Sequence, residues 1–248
     1  AAYAQLLKAG SIAFGDEVDF CVPTGNFGDI LAGYYAKQMG LPVGTLVCAS
    51  NENNVLTDFL TTGTYTAKRE FFKTTSPSMD ILVSSNLERL LYHVTESDAE
   101  VAALMKSLAQ TGSYSVRPET LAAIQETFAC GWSSEAEVAQ EIRTRYEKDG
   151  YLCDTHTAVA FHVAEQKKRA GVPMVVLSTA SPFKFPRSVL EALGHTAPAN
   201  DFEAMQQLEA ATGHTAPASL AALRQKAERF DTVIDPSQIP QVALSYQE

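Results

Sequence analysis

The sequence lacks the short motifs that mark many nucleotide-binding, metal-binding and hydrolytic sites. Its 248 residues contain no GK[ST] phosphate loop, no GxGxxG fingerprint, no HExxH zinc motif and no GxSxG nucleophile turn. The four cysteines form no CxxC pair. These absences argue against a P-loop NTPase, a dinucleotide-binding domain, a zinc site and a disulfide scaffold.

Positive charge and long apolar runs are also scarce. Lysine and arginine number 19 against 29 acidic residues, which leaves a formal charge of -10. This balance argues against nucleic acid or an anionic membrane as the main partner. No apolar run approaches the roughly 20 residues of a membrane span. With 46% hydrophobic residues the composition is that of a folded protein. The four scattered cysteines are expected to be free thiols, which is typical of a cytoplasmic protein.

Strand and helix patterns alternate over the first 85 residues. Apolar runs at 18–22, 45–49 and 80–83 predict strands. Helical patterns at 29–39 and 51–60 lie between them. Strands separated by helices and short turns are typical of a parallel sheet. The predicted fold class is therefore α/β, with an open, mostly parallel sheet flanked by helices.

Residues 86–150 carry three apolar stripes with helical spacing. One of them comprises Leu121, Ile124 and Phe128, which predicts a helix that reaches Phe128. We therefore expect a helical insertion here.

The α/β pattern resumes after the insertion. A helix at 155–170 and a fourth strand at 174–178 precede a helical C-terminal region at 186–248. The whole chain, 1–248, is expected to form one α/β domain that contains the insertion.

The most informative stretch is Pro-Thr-Gly-Asn-Phe-Gly-Asp, residues 23–29, between a predicted strand and a predicted helix. Gly25 and Gly28 allow a sharp turn and a close approach to a ligand. Successive backbone amides would meet there at a helix N-terminus, which suits a phosphate group. A glycine-rich turn that binds nothing fits the spacing equally well.

Two further segments offer side chains of functional type. The turn of residues 178–181 follows the fourth strand, so its hydroxyls would lie at the same sheet edge as the glycine turn. They could form hydrogen bonds to a ring nitrogen or a phosphate oxygen. From the residues alone we favour the alternative interpretation, an ST-turn that caps the next segment. His156 follows Asp154, which could orient it as an acid or base. Capping of the helix by Asp154 or Thr155, with local bonding of His156, is the reading that we favour.

Five segments, in order along the chain, resemble the threonine synthases. They are CVPTGNFGDILAGYYAKQMGLPV at 21–43, ASNENNV at 49–55, SSNLERL at 84–90, YLCDTHTAV at 151–159 and STASPFKFP at 178–186. The resemblance implies a pyridoxal 5'-phosphate enzyme with the fold of the tryptophan synthase β subunit (fold type II). That family converts O-phospho-L-homoserine and water to L-threonine and phosphate.

The resemblance also assigns roles to individual residues. It implies that the cofactor phosphate is held by Thr24, Gly25, Asn26, Phe27, Gly28 and Asp29. Thr179 matches the hydroxyl residue that faces the pyridine nitrogen. Lys184 is a candidate for binding an anionic group of the substrate, and the role of an ordinary surface lysine fits its context at least as well. Ser181 stands where family members often have histidine, and Thr155 where proline is common.

The family's Schiff-base lysine has no counterpart in this sequence. In the family that lysine precedes the glycine turn, whereas in this chain 24 residues precede Gly25 and their one lysine, Lys8, lies in an unrelated context. We therefore expect no catalytic residue in this chain. We expect it to be the C-terminal part of a longer enzyme, with the missing N-terminal part as its partner, and to be inactive alone. The alternative is a non-enzymatic α/β module that binds another phosphorylated ligand.

Overall fold

The computed structural model describes residues 1–229 and 232–245, which fall into two compact units, Ala1–His214 and Thr215–Glu248. The strands of the first unit are β1 (Val18–Pro23), β2 (Val43–Ser50), β3 (Thr64–Thr66), β4 (Ser113–Ser115), β5 (Phe128–Trp132) and β6 (Met174–Val176). Its helices are α1 (Ala2–Lys8), α2 (Gly28–Gln38), α3 (Val55–Thr62), α4 (Leu87–Thr95), α5 (Asp98–Thr111), α6 (Pro118–Gln125), α7 (Glu135–Asp149), α8 (Thr155–Lys167), α9 (Pro186–Ala192) and α10 (Asp201–Thr212).

The main sheet has the strand order β5-β2-β1-β6, and all three pairings are parallel. Because no two neighbouring strands in this sheet are joined by a hairpin, helices carry the chain back between them. Strands β3 and β4 form a separate antiparallel pair. The α/β class with an open parallel sheet flanked by helices, predicted from the sequence, is confirmed.

Helices cover both faces of the sheet, which is why its central strands are apolar on both sides. On one face α8 packs against β1 and β2, and the thiol of Cys21 donates to the carbonyl of Ala160 at 3.2 Å. On the other face Val22 and Leu46 pack with α2, α3 and α4. Each fully buried aliphatic side chain of this kind contributes about 1.5–3 kcal/mol.

Two sequence predictions of local structure are wrong. Residues 80–83 form no strand; they follow a 3₁₀ turn at Pro77–Met79, and the Asp80 carboxylate accepts hydrogen bonds that hold the segment in a loop. Phe128 is not helical, because α6 ends at Gln125 and Phe128 begins β5, opposite Leu46. Leu121, Ile124 and Phe128 have helical spacing, but the helix ends between the second and the third of them. Pairing with β2 places Phe128 in a strand instead.

The interval 86–150 therefore differs from an all-helical insertion. It contains four helices, but it also supplies β4 and an edge strand of the main sheet, β5.

The described part of the second unit combines short helical pieces with irregular segments at 215–217, 226–229 and 232–235, so it is less helical than the sequence predicts. It contains α11 (Ala218–Ala221) and α12 (Ile239–Ser245), with 3₁₀ turns at Ala222–Gln225 and Pro236–Gln238. Residues 230, 231 and 246–248 of the predicted helical C-terminal region lie outside the described residues. In the described part of the chain, no helix combines the length and the apolarity that crossing a bilayer requires.

An ion pair between a buried carboxylate and a half-exposed guanidinium joins β1 to the segment that precedes β6. Asp19 is fully buried and accepts hydrogen bonds from Nη2 and Nε of Arg169, at 2.6 and 2.8 Å, and from the Thr45 amide at 2.6 Å. Burial raises the pKa of the Asp19 carboxyl, but the bonds from Arg169 and Thr45 outweigh it and hold that pKa below its ordinary value. A side chain at Gly44 would collide with this pair, since its Cβ would lie 2.3 Å from an oxygen of Asp19.

We predict that Asp19→Asn lowers the free energy of unfolding at pH 7 by about 1–3 kcal/mol, because an amide cannot replace the charged acceptor of Arg169. The folded pKa lies below the unfolded one, so this stabilisation is present above the unfolded pKa of about 4 and is lost as the pH falls through the folded pKa. Urea unfolding of both proteins between pH 7 and pH 3 measures the difference, which should shrink on acidification.

Glu17→Gln is the matched control, since Glu17 is an exposed carboxylate that bonds the same Arg169 at 3.2 Å. It should change the free energy of unfolding by less than about 0.5 kcal/mol. An equal loss in both variants would contradict the special role of Asp19.

Candidate functional site

Two turns leave the sheet side by side at its carboxyl edge. Strands β1 and β6 are parallel neighbours, with Cys21 opposite Val176. The glycine turn after β1 and the turn that contains Thr179 after β6 therefore meet beyond the same edge, as predicted. Ligands of open α/β sheets bind at this edge.

The turn after β1 depends on an unusual conformation of Phe27. This residue has a left-handed backbone, with φ of 62° and ψ of 1°, immediately before α2. Such a conformation costs a bulky residue about 1–3 kcal/mol. The Phe27 side chain is buried, 1% exposed, and its ring lies 5.5 Å from that of Phe128. Core packing thus holds the backbone in a shape that the residue alone would avoid.

The turn presents backbone amides without acceptors. From Gly25 to Ile30, no backbone N–H donates a hydrogen bond to any residue that the structure describes. The last three belong to the first turn of α2, where the helix dipole adds positive potential. Unpaired amides that converge at a helix start fit a phosphate group.

A cavity of about 340 Å³ lies against these amides. No lysine or arginine is among the described residues that line it, so an anion there would be held by amides and by the dipole. Burial raises the pKa of the Asp29 carboxyl in the first turn of α2, which makes a negative charge on that side chain less favourable. The lining residues are Pro23, Thr24, Gly25, Asn26, Phe27, Gly28, Asp29, Ser78, Met79, Asn86, His156 and Thr179.

The structure therefore brings to one cavity seven of the eight residues to which the resemblance assigned a cofactor or substrate role. Thr24 mainly shapes the turn, because its hydroxyl donates to the Val22 carbonyl at 2.7 Å. Thr179 is exposed, and its hydroxyl bonds to none of the described residues, so it is free to meet a ligand. Ser181 accepts from the amide of Phe183 at 3.3 Å and so caps the next turn.

Lys184 is the residue that the cavity leaves out. Its side chain is exposed, and Nζ lies 5.3 Å from the centre of the Phe185 ring. Its role toward a substrate anion stays a prediction.

Ser85 and Asn86 lock the glycine turn in place. The amide and hydroxyl of Ser85 both donate to the side-chain oxygen of Asn26, at 2.7 and 2.8 Å. The side chain of Asn86 donates to the Asn26 carbonyl at 2.8 Å. Sequence reasoning gave these residues no role, although the SSNLERL segment that contains them was a visible signal. Contacts between positions 59 and 60 residues apart could not be inferred from either segment alone.

Ser78 and Met79 form the opposite wall of the cavity, which the sequence did not reveal. A Cβ at position 25 would lie 3.0 Å from the Met79 Cα and 3.1 Å from the Ser78 carbonyl oxygen. Only glycine allows the turn and this wall to approach so closely.

His156 lines the same cavity from the first turn of α8, and both of its ring nitrogens have partners. Its Nδ1 lies 3.2 Å from an oxygen of Asp154, and its Nε2 accepts from the Ser78 amide at 3.2 Å. Asp154 also accepts from the amides of His156 and Thr157, so it caps α8 as favoured from the sequence. Burial raises the pKa of Asp154, but the bonds from His156 and Thr157 hold it below its ordinary value.

The sheet topology is that of an open α/β protein, with a cavity at the carboxyl edge of its sheet, the place where ligands of such folds bind. Comparison with known proteins narrows this class. A family model described as "Threonine synthase, C-terminal" matches residues 157–243. The chain is therefore similar to the threonine synthase family, whose model matches about a third of its length.

Individual relatives show the same similarity. Human threonine synthase-like 1 is 42% identical over 194 residues, which are 77% of this chain and 26% of that protein. The threonine synthase of Schizosaccharomyces pombe is 39% identical over 223 residues, which are 80% of this chain and 43% of that protein. A PLP-bound threonine synthase from Brucella melitensis superposes with a TM-score of 0.82 at 39% identity, covering 98% of this chain and 49% of that one. The chain thus spans between about a quarter and a half of the length of these relatives.

We predict that Gly25→Ala lowers the free energy of unfolding by about 1–3 kcal/mol, because the added methyl group must displace the backbone of Ser78 and Met79. Gly28→Ala is the matched comparison. There the new Cβ meets only the end of the Asn86 side chain, at 3.2 Å, which can move. Its cost should stay below about 1 kcal/mol. Chemical denaturation measures both, and equal losses would argue against a rigid wall over Gly25.

Proposed function

We propose that this chain supplies the phosphate and ring-nitrogen contacts of a pyridoxal 5'-phosphate site in a threonine synthase. The reaction of the whole enzyme would convert O-phospho-L-homoserine and water to L-threonine and phosphate. The observation that carries the proposal is the row of unpaired amides from Gly25 to Ile30 beside a cavity that Thr179 also lines. The PLP-bound relative from Brucella melitensis supports the choice of cofactor.

The phosphate and the ring nitrogen of the cofactor each have a fitting group in the cavity. The amides of the turn, with Thr24 and Asp29 beside them, would hold the phosphate ester. The Thr179 hydroxyl would bond the pyridine nitrogen, and a neutral partner of this kind leaves that nitrogen largely unprotonated. When bound, the cofactor supplies the electron sink that chemistry at the amino acid's Cα and Cβ requires.

The chain alone would bind the cofactor without a covalent bond. None of the described residues that line the cavity is a lysine, so the cavity offers no amine to the cofactor aldehyde. The family's chemistry needs that amine to shuttle protons at Cα and Cβ. We therefore propose that this chain is inactive by itself and that catalysis requires a lysine from outside its 248 residues. Lys184 remains the candidate for an anionic group of the substrate.

A second candidate function is a binding module for another phosphorylated ligand. The amide cradle favours it, since backbone N–H groups recognise phosphate whatever ester carries it. A thermal-shift panel with pyridoxal 5'-phosphate, flavin mononucleotide and sugar phosphates separates the two functions. Stabilisation by pyridoxal 5'-phosphate supports our proposal, and stabilisation only by one of the others supports the module.

We predict that Asn26→Asp raises the Kd for pyridoxine 5'-phosphate about tenfold or more. This probe has the ring and the phosphate but no aldehyde, so it cannot react with surface lysines. Aspartate keeps the oxygen that Ser85 bonds, so the turn survives, but its charge repels the phosphate. Isothermal titration calorimetry measures the Kd.

Asn200→Asp is the control for that charge change. Asn200 accepts from the amides of Phe202 and Glu203 at the start of α10, outside the cavity lining, and should tolerate aspartate with an unchanged Kd. Equal affinities of wild type and Asn26→Asp would place the phosphate elsewhere.

Borohydride reduction tests the absence of a cofactor lysine. We expect that reduction in the presence of pyridoxal 5'-phosphate labels only exposed lysines, and that excess pyridoxine 5'-phosphate does not suppress this labelling, because those lysines lie outside the cavity. Peptide mapping by mass spectrometry identifies the labelled lysines. Lys184→Arg is the control for the exposed lysine nearest in sequence to Thr179. Labelling of any lysine that the probe does suppress would show that this chain carries its own cofactor amine.

A further inference from the structure

The 3₁₀ turn that forms one wall of the cavity is held at its flanks, where Asn51 donates to Ser76 and Asp80, and among the described residues its own long-range hydrogen bond goes to His156. The 3₁₀ turn Pro77–Met79 makes local bonds, among them one from the Met79 amide to the Ser76 carbonyl at 2.9 Å. The Ser78 amide at its centre has one partner among the described residues, Nε2 of His156, which is 78 residues away in sequence. This turn is also the part of the wall that approaches Gly25 most closely.

The surroundings of His156 determine which of its nitrogens carries the proton. Because the Ser78 N–H donates to Nε2, that nitrogen presents its lone pair and the proton belongs on Nδ1. Nδ1 faces the buried carboxylate of Asp154 at 3.2 Å, which accepts this proton's hydrogen bond. Thr155 adds a hydroxyl at 3.4 Å from the same nitrogen. The imidazole is therefore oriented as an acceptor toward the wall.

The same helix start also reaches the opposite side of the cavity. The Thr157 hydroxyl lies 3.3 Å from the hydroxyl of Ser178, the neighbour of Thr179. The first turn of α8 thus touches both the Ser78 wall and the turn that bears Thr179. The His156 ring is kept in this place by burial, with 2% exposure, and by the Phe185 ring 4.9 Å away.

From this geometry we infer that His156 is a positioning residue for the cofactor cavity. By accepting the Ser78 amide, it holds the turn Pro77–Met79 against Gly25 and so sets the width of the space that receives the phosphate. The inference rests on the proposed function, since it names a residue that prepares that site without acting on the reacting atoms.

The test compares two replacements of His156. Glutamine can place an oxygen near the former Nε2 position and should keep the Kd for pyridoxine 5'-phosphate within about threefold of wild type. Phenylalanine fills the same space but removes the acceptor of the Ser78 amide, and should raise that Kd about tenfold. Hydrogen exchange of the Ser78 amide, measured by NMR without ligand, should be faster in His156→Phe and near wild type in His156→Gln.

His162→Phe is the matched control, because His162 lies on the same helix and contacts Gln166 and Glu137, outside the cavity lining. Its Kd and its Ser78 exchange should equal those of wild type. If His156→Phe fails to fold, His156→Asn takes its place, since its shorter amide cannot reach Ser78, and it should show the same two losses.

The outcomes separate this inference from the proposed function. If the wild type does not bind pyridoxine 5'-phosphate, the proposed function fails and this inference falls with it. If the wild type binds and a folded His156→Phe binds equally well, only the positioning role of His156 is overturned. The same holds if His156→Gln restores neither the Kd nor the slow exchange of the Ser78 amide. Weaker binding and faster Ser78 exchange in His156→Phe, both restored in His156→Gln, would support it.

Discussion

The close approach between the glycine turn and the wall at Ser78 and Met79 is the constraint on which the site depends. Backbone amides without a protein acceptor need another partner, which water or a ligand in the cavity can supply. The fold keeps these amides exposed to the cavity by burying the Phe27 side chain in the core and by excluding a Cβ at position 25. Stability of the core and readiness of the site are therefore coupled through the same few residues.

The site draws its parts from segments that are far apart in sequence. The turn after β1 supplies the amides, the loop before α4 locks it through Asn26, and the first turn of α8 holds the opposite wall. The parallel sheet brings the turns after the neighbouring strands β1 and β6 to one edge, whereas the loop before α4 and the start of α8 reach the same place without following a strand of this sheet. Substitutions at Ser85, Asn86 or His156 should therefore affect the cavity although none of these residues belongs to the glycine turn.

Charge in this cavity comes from the backbone rather than from basic side chains. With no lysine or arginine among its described lining residues, the cavity relies on oriented N–H groups and the start of α2. Fixed dipoles need no reorganisation when the ligand arrives. Because they bind an anion without basic side chains, the site is consistent with a chain whose formal charge is -10. The acidic composition and the proposed binding of a phosphate ester are thus compatible.

Local patterns determined much of this protein. The apolar runs of β1 and β2, the helix after the glycine turn and the Asp154 cap follow from spacing and from the preferences of individual residues, and the sequence blocks pointed to the family. Tertiary structure decided the rest. Phe128 became a strand residue because β2 offered it a partner, and residues 80–83 became a loop because Asp80 gathers donors from Asn51, Asn53 and Thr74. The wall at Ser78 and its bond to His156 depend on contacts across dozens of residues, which no local pattern encodes.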